Sequence, residues 1–268
     1  MQNPILTCTT SAYNESRRIV PWVNQARQWA DMTIVFDKGS TDNTCELAAE
    51  AGATVVSIPY SDAGHEDVET ICRNLIPGKW FVWSTPSEIV KPQLARLFRS
   101  VAISDSPDFD VLYAPTKLFA FGAHSPMTPF GIVNHPRLIN RMSAHIQNQI
   151  HNNFLPRTGA RIVNFNEDMY VLHQTHANFE KYVYQHVQYA MSEVKNTSDP
   201  VQTARQAIAT AHRYDYDFSS ASGDIRHQLA WKIYHYLVAL GCHNKLLEPS
   251  TAAIYKDQYN QILDEWKQ

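Results

Sequence analysis

The chain has no CxxC pair. Its four cysteines, Cys8, Cys45, Cys72 and Cys242, stand far apart. That spacing excludes a zinc ribbon and a disulfide scaffold, and leaves buried free thiols in a reducing compartment as the expectation. There is no GxGxxG turn and no Gly-Lys-Ser/Thr loop, which argues against dehydrogenases and P-loop NTPases. No apolar run approaches the ~18 residues of a membrane span. Met-Gln-Asn-Pro leads straight into a strand, with no signal peptide visible. A net charge of −3 gives no sign of a nucleic-acid partner. No internal repeat or low-complexity segment is present. The expected location is cytoplasmic, with peripheral contact at the inner face of a membrane left open.

What is present is 268 residues with an apolar fraction of 44%, enough for one large domain or a domain with an appendage. Up to about residue 140 strands and helices alternate. Strands are expected at Ile5–Thr10, Thr33–Asp37, Thr54–Ile58, Lys79–Ser84 and Asp110–Thr116. Helices are expected at Ile19–Ala30 (Pro21 near the first turn), Asp42–Ala51 (closed by Gly52), Glu66–Leu75 and 91–103. This rhythm predicts an α/β fold, a mainly parallel sheet with helices on both faces.

After about residue 175 the strand signal ends. Phe179, Tyr182, Val183, His186, Val187, Ala190, Met191 and Val194 recur at helical spacing. Asp199-Pro200 caps a helix running toward Tyr214. Ile225 to Leu240 forms a third apolar stripe, ended by Gly241, and Ser250 starts a fourth. The expected division is 1–175, an α/β domain, and 176–268, a helical region. Its many aromatics fit a packed core.

Residues 32–44, Met-Thr-Ile-Val-Phe-Asp-Lys-Gly-Ser-Thr-Asp-Asn-Thr, are the most informative stretch. An apolar strand ends in Asp37, a Gly-Ser-Thr-Asp turn follows, and a helix opens. A carboxylate at the C-terminal end of a strand sits where α/β sheets bind ligands. It can accept hydrogen bonds from a nucleobase or ribose. Ser40, Thr41 and Asp42 are equally good helix caps, and both readings stand.

The order of motifs extends this. Thr-Thr-Ser-Ala-Tyr-Asn14-Glu15 follows strand one and Asp37-Lys-Gly-Ser-Thr-Asp42 follows strand two. Arg73-Asn74, Lys79-Trp-Phe-Val-Trp83 and Glu88 come next, then Arg137-Leu-Ile-Asn-Arg141, Ile150-His151 and His173. Over about residues 4–195 this resembles the family 2 glycosyltransferases of the GT-A fold, especially bacterial enzymes of lipopolysaccharide core and related surface glycans. The resemblance implies an inverting transfer of sugar from a nucleotide-diphosphate donor to a glycan or lipid-linked acceptor. It implies a donor site walled by Thr9, Thr10, Ala12, Tyr13 and Glu15. Asp37, with Ser40 and Asp42, would hold the base, and Arg73 would reach phosphate. Ser84, Thr85, Ser87, Glu88, Arg137, Arg141 and His173 would complete the site.

Two departures stand out. The family usually carries Asp-x-Asp after the fourth strand to hold Mg²⁺ or Mn²⁺ on the diphosphate. Here Thr85 and Ser87 stand at those positions, and Glu88 alone is a weak metal ligand. Three explanations stay open: a metal-free site using Arg73, Arg137, Arg141 or His151; a weaker metal held by Glu88 and another residue; or a fold that binds a ligand or partner without catalysis. The second departure is His151-Asn152, where the subgroup has His-Glu. The base is then His151, Glu167 or Asp168. His173-Gln-Thr-His176 spaces two imidazoles as half a metal site, but no third ligand is near. His173 instead matches the family's histidine before the helix. A homodimer is also left open.

Overall fold

The computed structural model describes residues 4–60, 73–104, 108–120, 123–124, 132–146, 154–156, 158–165, 168–176, 179–212 and 232–246. In chain order these form β1 (Leu6–Ala12), α1 (Ile19–Ala26), β2 (Met32–Asp37), α2 (Thr44–Glu50), β3 (Thr54–Ser57), β4 (Trp80–Trp83), β5 (Glu88–Val90) and α3 (Pro92–Ile103). There follow β6 (Val111–Ala120), β7 (Ala123–His124), β8 (Ile132–Asn140), β9 (Ala144–Ile146), β10 (Phe154–Pro156), β11 (Ile162–Asn164) and β12 (Val171–His176). Then come α4 (Phe179–Asn196), α5 (Pro200–His212) and a helix over 232–246. The chain divides into two units, Met1–Thr175 and His176–Gln268.

All seven residues of β1 are buried, including four hydroxyl residues. β-Branched threonines suit a pleated strand, and a buried hydroxyl needs a partner. Thr7 donates to the Pro77 carbonyl at 3.0 Å and Thr9 to the Val82 carbonyl at 3.3 Å. The strand can therefore lie at the centre of the sheet.

The sheet order is β3-β2-β1-β4-β8-β6-β12-β5, with β7 and β11 pairing with β6. From β3 to β4 every pairing is parallel. Beyond β4 the pairings β4–β8, β8–β6 and β12–β5 are antiparallel, while β11 runs parallel to β6. The fold is α/β, as expected. The expected strands make the parallel half and β6; β5 and β7 to β12 are additional.

Helix α1 buries Ile19, Trp22, Val23 and Ala26, a stripe of helical period. It ends four residues before the expected Ala30. There the Gln28 and Trp29 N–H groups donate to carbonyls three residues back, a tightened final turn. Helix α3 has Pro92 in its first turn and buries Leu94, Ala95, Phe98 and Ala102. All three described helices of this unit enter one core with Leu6, Cys8, Val35 and Val82. The opposite face is a second core around Ile34, Phe36, Phe81, Trp83 and Ile139. The helix expected over Glu66–Leu75 lies outside the described residues, except that Arg73–Leu75 forms a 3₁₀ turn.

In the second unit, Asp199 caps α5 as expected: its Oδ1 accepts the Gln202 N–H at 2.9 Å. Gly241 corrects an expectation. It lies inside the helix over 232–246, where an added Cβ would come within 2.8 Å of Val194 Cγ2. The glycine permits close helix contact instead of stopping the helix. The stripe expected from Ile225 is described only from residue 232, and the helix expected from Ser250 lies outside the described residues. Among the described residues no helix is long and apolar enough to cross a membrane.

Gly78, just before β4, has φ of 84°, and an added Cβ would lie 2.3 Å from the Pro4 carbonyl oxygen. Backbone cannot yield as a flexible side chain can. Gly78→Ala is expected to cost about 1–3 kcal/mol and lower the thermal midpoint, measured by calorimetry.

Candidate functional site

β1 is flanked by β2 on one side and β4 on the other. In an open α/β sheet the loops leaving two such strands diverge, and the crevice beyond their carboxyl ends is where ligands bind. By that rule the crevice is expected between residues 13–18, after β1, and 84–88, after β4.

The β1 side is tied firmly to the loop after β2. Asn14 adopts φ of 56°, a conformation asparagine tolerates better than most side chains. Its Oδ1 accepts the Thr41 and Asp42 N–H groups at 2.8 and 3.3 Å. Its own N–H donates to Ser40 Oγ at 2.9 Å, and the Glu15 N–H to Thr44 Oγ1 at 2.8 Å. Asp42 accepts from the Ser16 N–H at 3.3 Å and from the Thr44 N–H and hydroxyl. These bonds hold the Asp42 carboxyl below the usual range, against a desolvation that raises it.

Asp37 is 3% exposed. Its carboxylate accepts the Gly39 and Ser40 N–H groups, each at 3.0 Å, and the Ser40 hydroxyl at 2.5 Å. Asp37 and Asp42 thus shape the turn, while the cap position of α2 falls on Asn43, which makes no side-chain cap bond. What faces outward is aromatic. Tyr13 and Tyr60 place their ring centroids 5.0 Å apart, both substantially exposed, with Lys38 Nζ 5.8 Å from the Tyr60 ring. Tyr60 was not among the expected site residues. The signal available was its place just beyond β3, which a parallel sheet brings to the same edge as Tyr13.

The β4 side centres on Glu88, 5% exposed. Arg137 grips it bidentately: Nη1 donates to Oε2 at 2.8 Å and Nη2 to Oε1 at 2.7 Å. Nη2 also donates to Thr116 Oγ1 at 2.6 Å, and the Thr85 N–H to Glu88 Oε2 at 2.9 Å. His173 stands opposite Glu88 in the β12–β5 register. Its Nδ1 lies 3.7 Å from Glu88 Oε1, and its Nε2 is hydrogen-bonded to Ser87 Oγ at 3.0 Å. Ser87 Oγ in turn lies 2.9 Å from Thr85 Oγ1. Burial raises the Glu88 carboxyl, but the Arg137 charge, then His173 and the hydrogen bonds, override it and hold it at about 2. Burial also pushes the His173 imidazole below its ordinary value. Glu88 opposes that shift and Arg137 and Arg18 reinforce it.

Several expected site residues lie elsewhere. Thr9, Thr10 and Ala12 are at most 1% exposed, so they form sheet beneath the crevice and do not wall it. Ser84 is buried and accepts the Trp22 indole N–H at 2.8 Å. Glu15 is held bidentately by Arg18, at 2.7 and 2.6 Å. Arg141 is at the wrong end of the sheet. β8 runs antiparallel to β4, so Arg137 reaches the β4 carboxyl end, whereas the Arg141 N–H donates to the Lys79 carbonyl at the amino end. There Arg141 lines a cavity of about 440 Å³ with Pro4, Gly78 and Met142. Asp168 is exposed on the loop before β12. His151 and Glu167 lie outside the described residues, as does the Arg73 side chain.

The metal implied by the Asp-x-Asp comparison does not fit these residues. Thr85 and Ser87 are neutral hydroxyls bonded to each other, and both Glu88 oxygens face a guanidinium. A divalent cation needs several oxygen ligands of net negative charge. Placed on Glu88 it would meet Arg137. Glu88, expected as a weak metal ligand, is here committed to Arg137. No group of three or more potential His, Cys, Asp or Glu ligands occurs among the described residues.

No protein-family model matches the sequence, and no curated protein is significantly similar to it. Similar solved structures include S. aureus TarS 1-349 in complex with UDP-GlcNAc: 13% identity, covering 77% of this chain and 70% of that one, TM-score 0.48. Glucosyl-3-phosphoglycerate synthase from Mycobacterium tuberculosis, in complex with Mn²⁺, UDP-glucose and phosphoglyceric acid, is 21% identical over 42% of this chain, TM-score 0.34. The match spans 43% of that synthase. A mycobacterial protein is 16% identical over 64% of this chain and 65% of its own, TM-score 0.41.

The Glu88–Arg137 pair gives a pH-dependent prediction. Glu88 is depressed in the fold, so its contribution is complete above the ordinary value of 4.5 and is lost as pH falls through about 2. Arg137→Met should cost about 3–5 kcal/mol near neutrality by leaving a buried carboxylate unpaired. The deficit should shrink in acid, where the variant's Glu88, no longer held down by a guanidinium, is protonated. Denaturant titrations at pH 7 and pH 3 check this, with Glu88→Gln/Arg137→Met expected to recover part of the loss.

Proposed function

We propose that this chain is a glycosyltransferase of the GT-A type that binds a nucleotide-diphosphate sugar in the crevice between the β1 and β4 loops and transfers the sugar without a resident divalent metal. The observation that carries the reading is the exposed Tyr13–Tyr60 ring pair at the edge where the strand order switches, above the rigid Asp37 turn. Two open rings offer a nucleobase a stacking surface.

The reaction is one displacement. An acceptor hydroxyl oxygen attacks the anomeric carbon, the bond from that carbon to the phosphate oxygen breaks, and the nucleoside diphosphate leaves with the electron pair. The hydroxyl proton passes to a base. His173 Nε2 is the group among the described residues suited to take it: its imidazole is neutral at pH 7 and already hydrogen-bonded to a hydroxyl, Ser87 Oγ. Charge on the leaving diphosphate calls for a cation. Arg137 is neutralised by Glu88 and buried. Arg18 is the better candidate, because its pair with Glu15 is half-exposed and cheap to exchange. The acceptor class, glycan or lipid-linked, follows from the sequence resemblance alone.

A second reading has its own support. The Glu88–Arg137 pair leaves the β4 side without net positive charge, which suits a protein that binds a nucleotide without transferring sugar.

Calorimetric titration of UDP, GDP and their sugar conjugates, first with Mn²⁺ and then with EDTA, tests both. Binding that survives EDTA is expected, and Tyr60→Ala should weaken it about tenfold or more through lost stacking. Binding without turnover on any acceptor supports the second reading. Absence of binding in both buffers contradicts both.

A further inference from the structure

On the sheet face opposite α1–α3, two lysines converge on one tyrosine. Strand β12 lies between β6 and β5. Lys117, in β6, places Nζ 4.2 Å from the Tyr170 ring centroid; Lys91, just after β5, places Nζ 4.7 Å from the same centroid. The strands enforce this. The Lys91 N–H donates to the Tyr170 carbonyl at 3.4 Å, next to the Val90–Val171 pair. Val90 and Val171 point into the helix-side core, so their neighbours Lys91 and Tyr170 point the other way. Thr116 turns toward Arg137, which puts Lys117 on that other face too.

Two ammonium groups held against one ring concentrate positive charge there. Among the described residues neither lysine has an ion pair with a carboxylate: Glu88 is on the opposite face and held by Arg137. Asp168, exposed two residues before Tyr170, is the described carboxylate nearest in sequence and bonds neither lysine. The ring holds both cations, but it supplies no countercharge. Beside them Ile89, in register with Leu172, is 45% exposed.

We propose that Lys91, Lys117 and Tyr170 form a binding site for a phosphate group, carried on a molecule other than the nucleotide donor. A phosphate dianion would supply the countercharge these two ammonium groups lack, with the tyrosine hydroxyl as a further donor. The site stands on its own geometry and does not depend on the donor reading. The phosphate can arrive on a soluble phosphorylated acceptor or on a lipid headgroup at a membrane surface.

The test uses the whole chain and its Lys91→Gln/Lys117→Gln variant, with thermal midpoints compared to verify folding. One arm titrates inorganic phosphate and glucose 6-phosphate by calorimetry, against chloride at equal ionic strength. The other measures sedimentation with phosphatidylcholine vesicles, with and without one third phosphatidylglycerol. Binding in either arm that falls at least tenfold in the variant supports the site, and the arm that responds identifies the source. Tyr170→Phe should weaken binding by a smaller factor. No binding in either arm, or equal binding by the variant, overturns the proposal. Nucleotide titration of the same variant should be unchanged, so failure here is separable from failure of the donor site.

Discussion

The buried pair of Glu88 and Arg137 is the constraint on which this site depends. It joins strands that lie far apart in sequence: Glu88 opens β5, Arg137 sits in β8, and Thr116 of β6 steadies the guanidinium. A charge taken out of water is tolerable only when matched and hydrogen-bonded. Here both carboxylate oxygens and both terminal guanidinium nitrogens are engaged. The pair therefore fixes the floor of the crevice, orients His173 against Ser87, and decides its electrostatics. A carboxylate held at about 2 by a fixed guanidinium is not a vacant ligand for another cation.

The two walls of the crevice are built differently. The β1–β2 side is a mesh of turn hydrogen bonds in which Asn14, Asp37 and Asp42 satisfy backbone N–H groups. What this wall exposes is the Tyr13–Tyr60 ring pair. The β4–β5 side is a buried polar cluster. A nucleotide bound as proposed would stack on the first wall, which also carries Arg18, the exchangeable cation.

How much of this was legible in the sequence follows from range. Strands β1 to β3 and the helices between them are set by local periodicity and punctuation, and Gly52 closes α2 as its position suggested. The aspartates at the turn were legible in place, while their balance between capping and binding was not. That depends on the Asn14 loop, which meets them only in the folded sheet. The antiparallel half, β6 apart, was illegible because its pairings join segments distant in sequence. The same gap misplaced Arg141. Four residues along a strand is about 13 Å, so once β8 runs antiparallel to β4 the two arginines fall at opposite ends. Gly241 misled for a related reason: only the partner helix shows that the missing side chain makes room for Val194.

The most direct test of the central claim, that Arg137 has taken the cation's place on Glu88, is electron paramagnetic resonance of Mn²⁺ titrated with the protein and saturating UDP. The free-ion signal should fall no further than UDP alone makes it fall. A stoichiometric further loss, abolished by Glu88→Gln, would contradict the account by showing that Glu88 holds a metal after all.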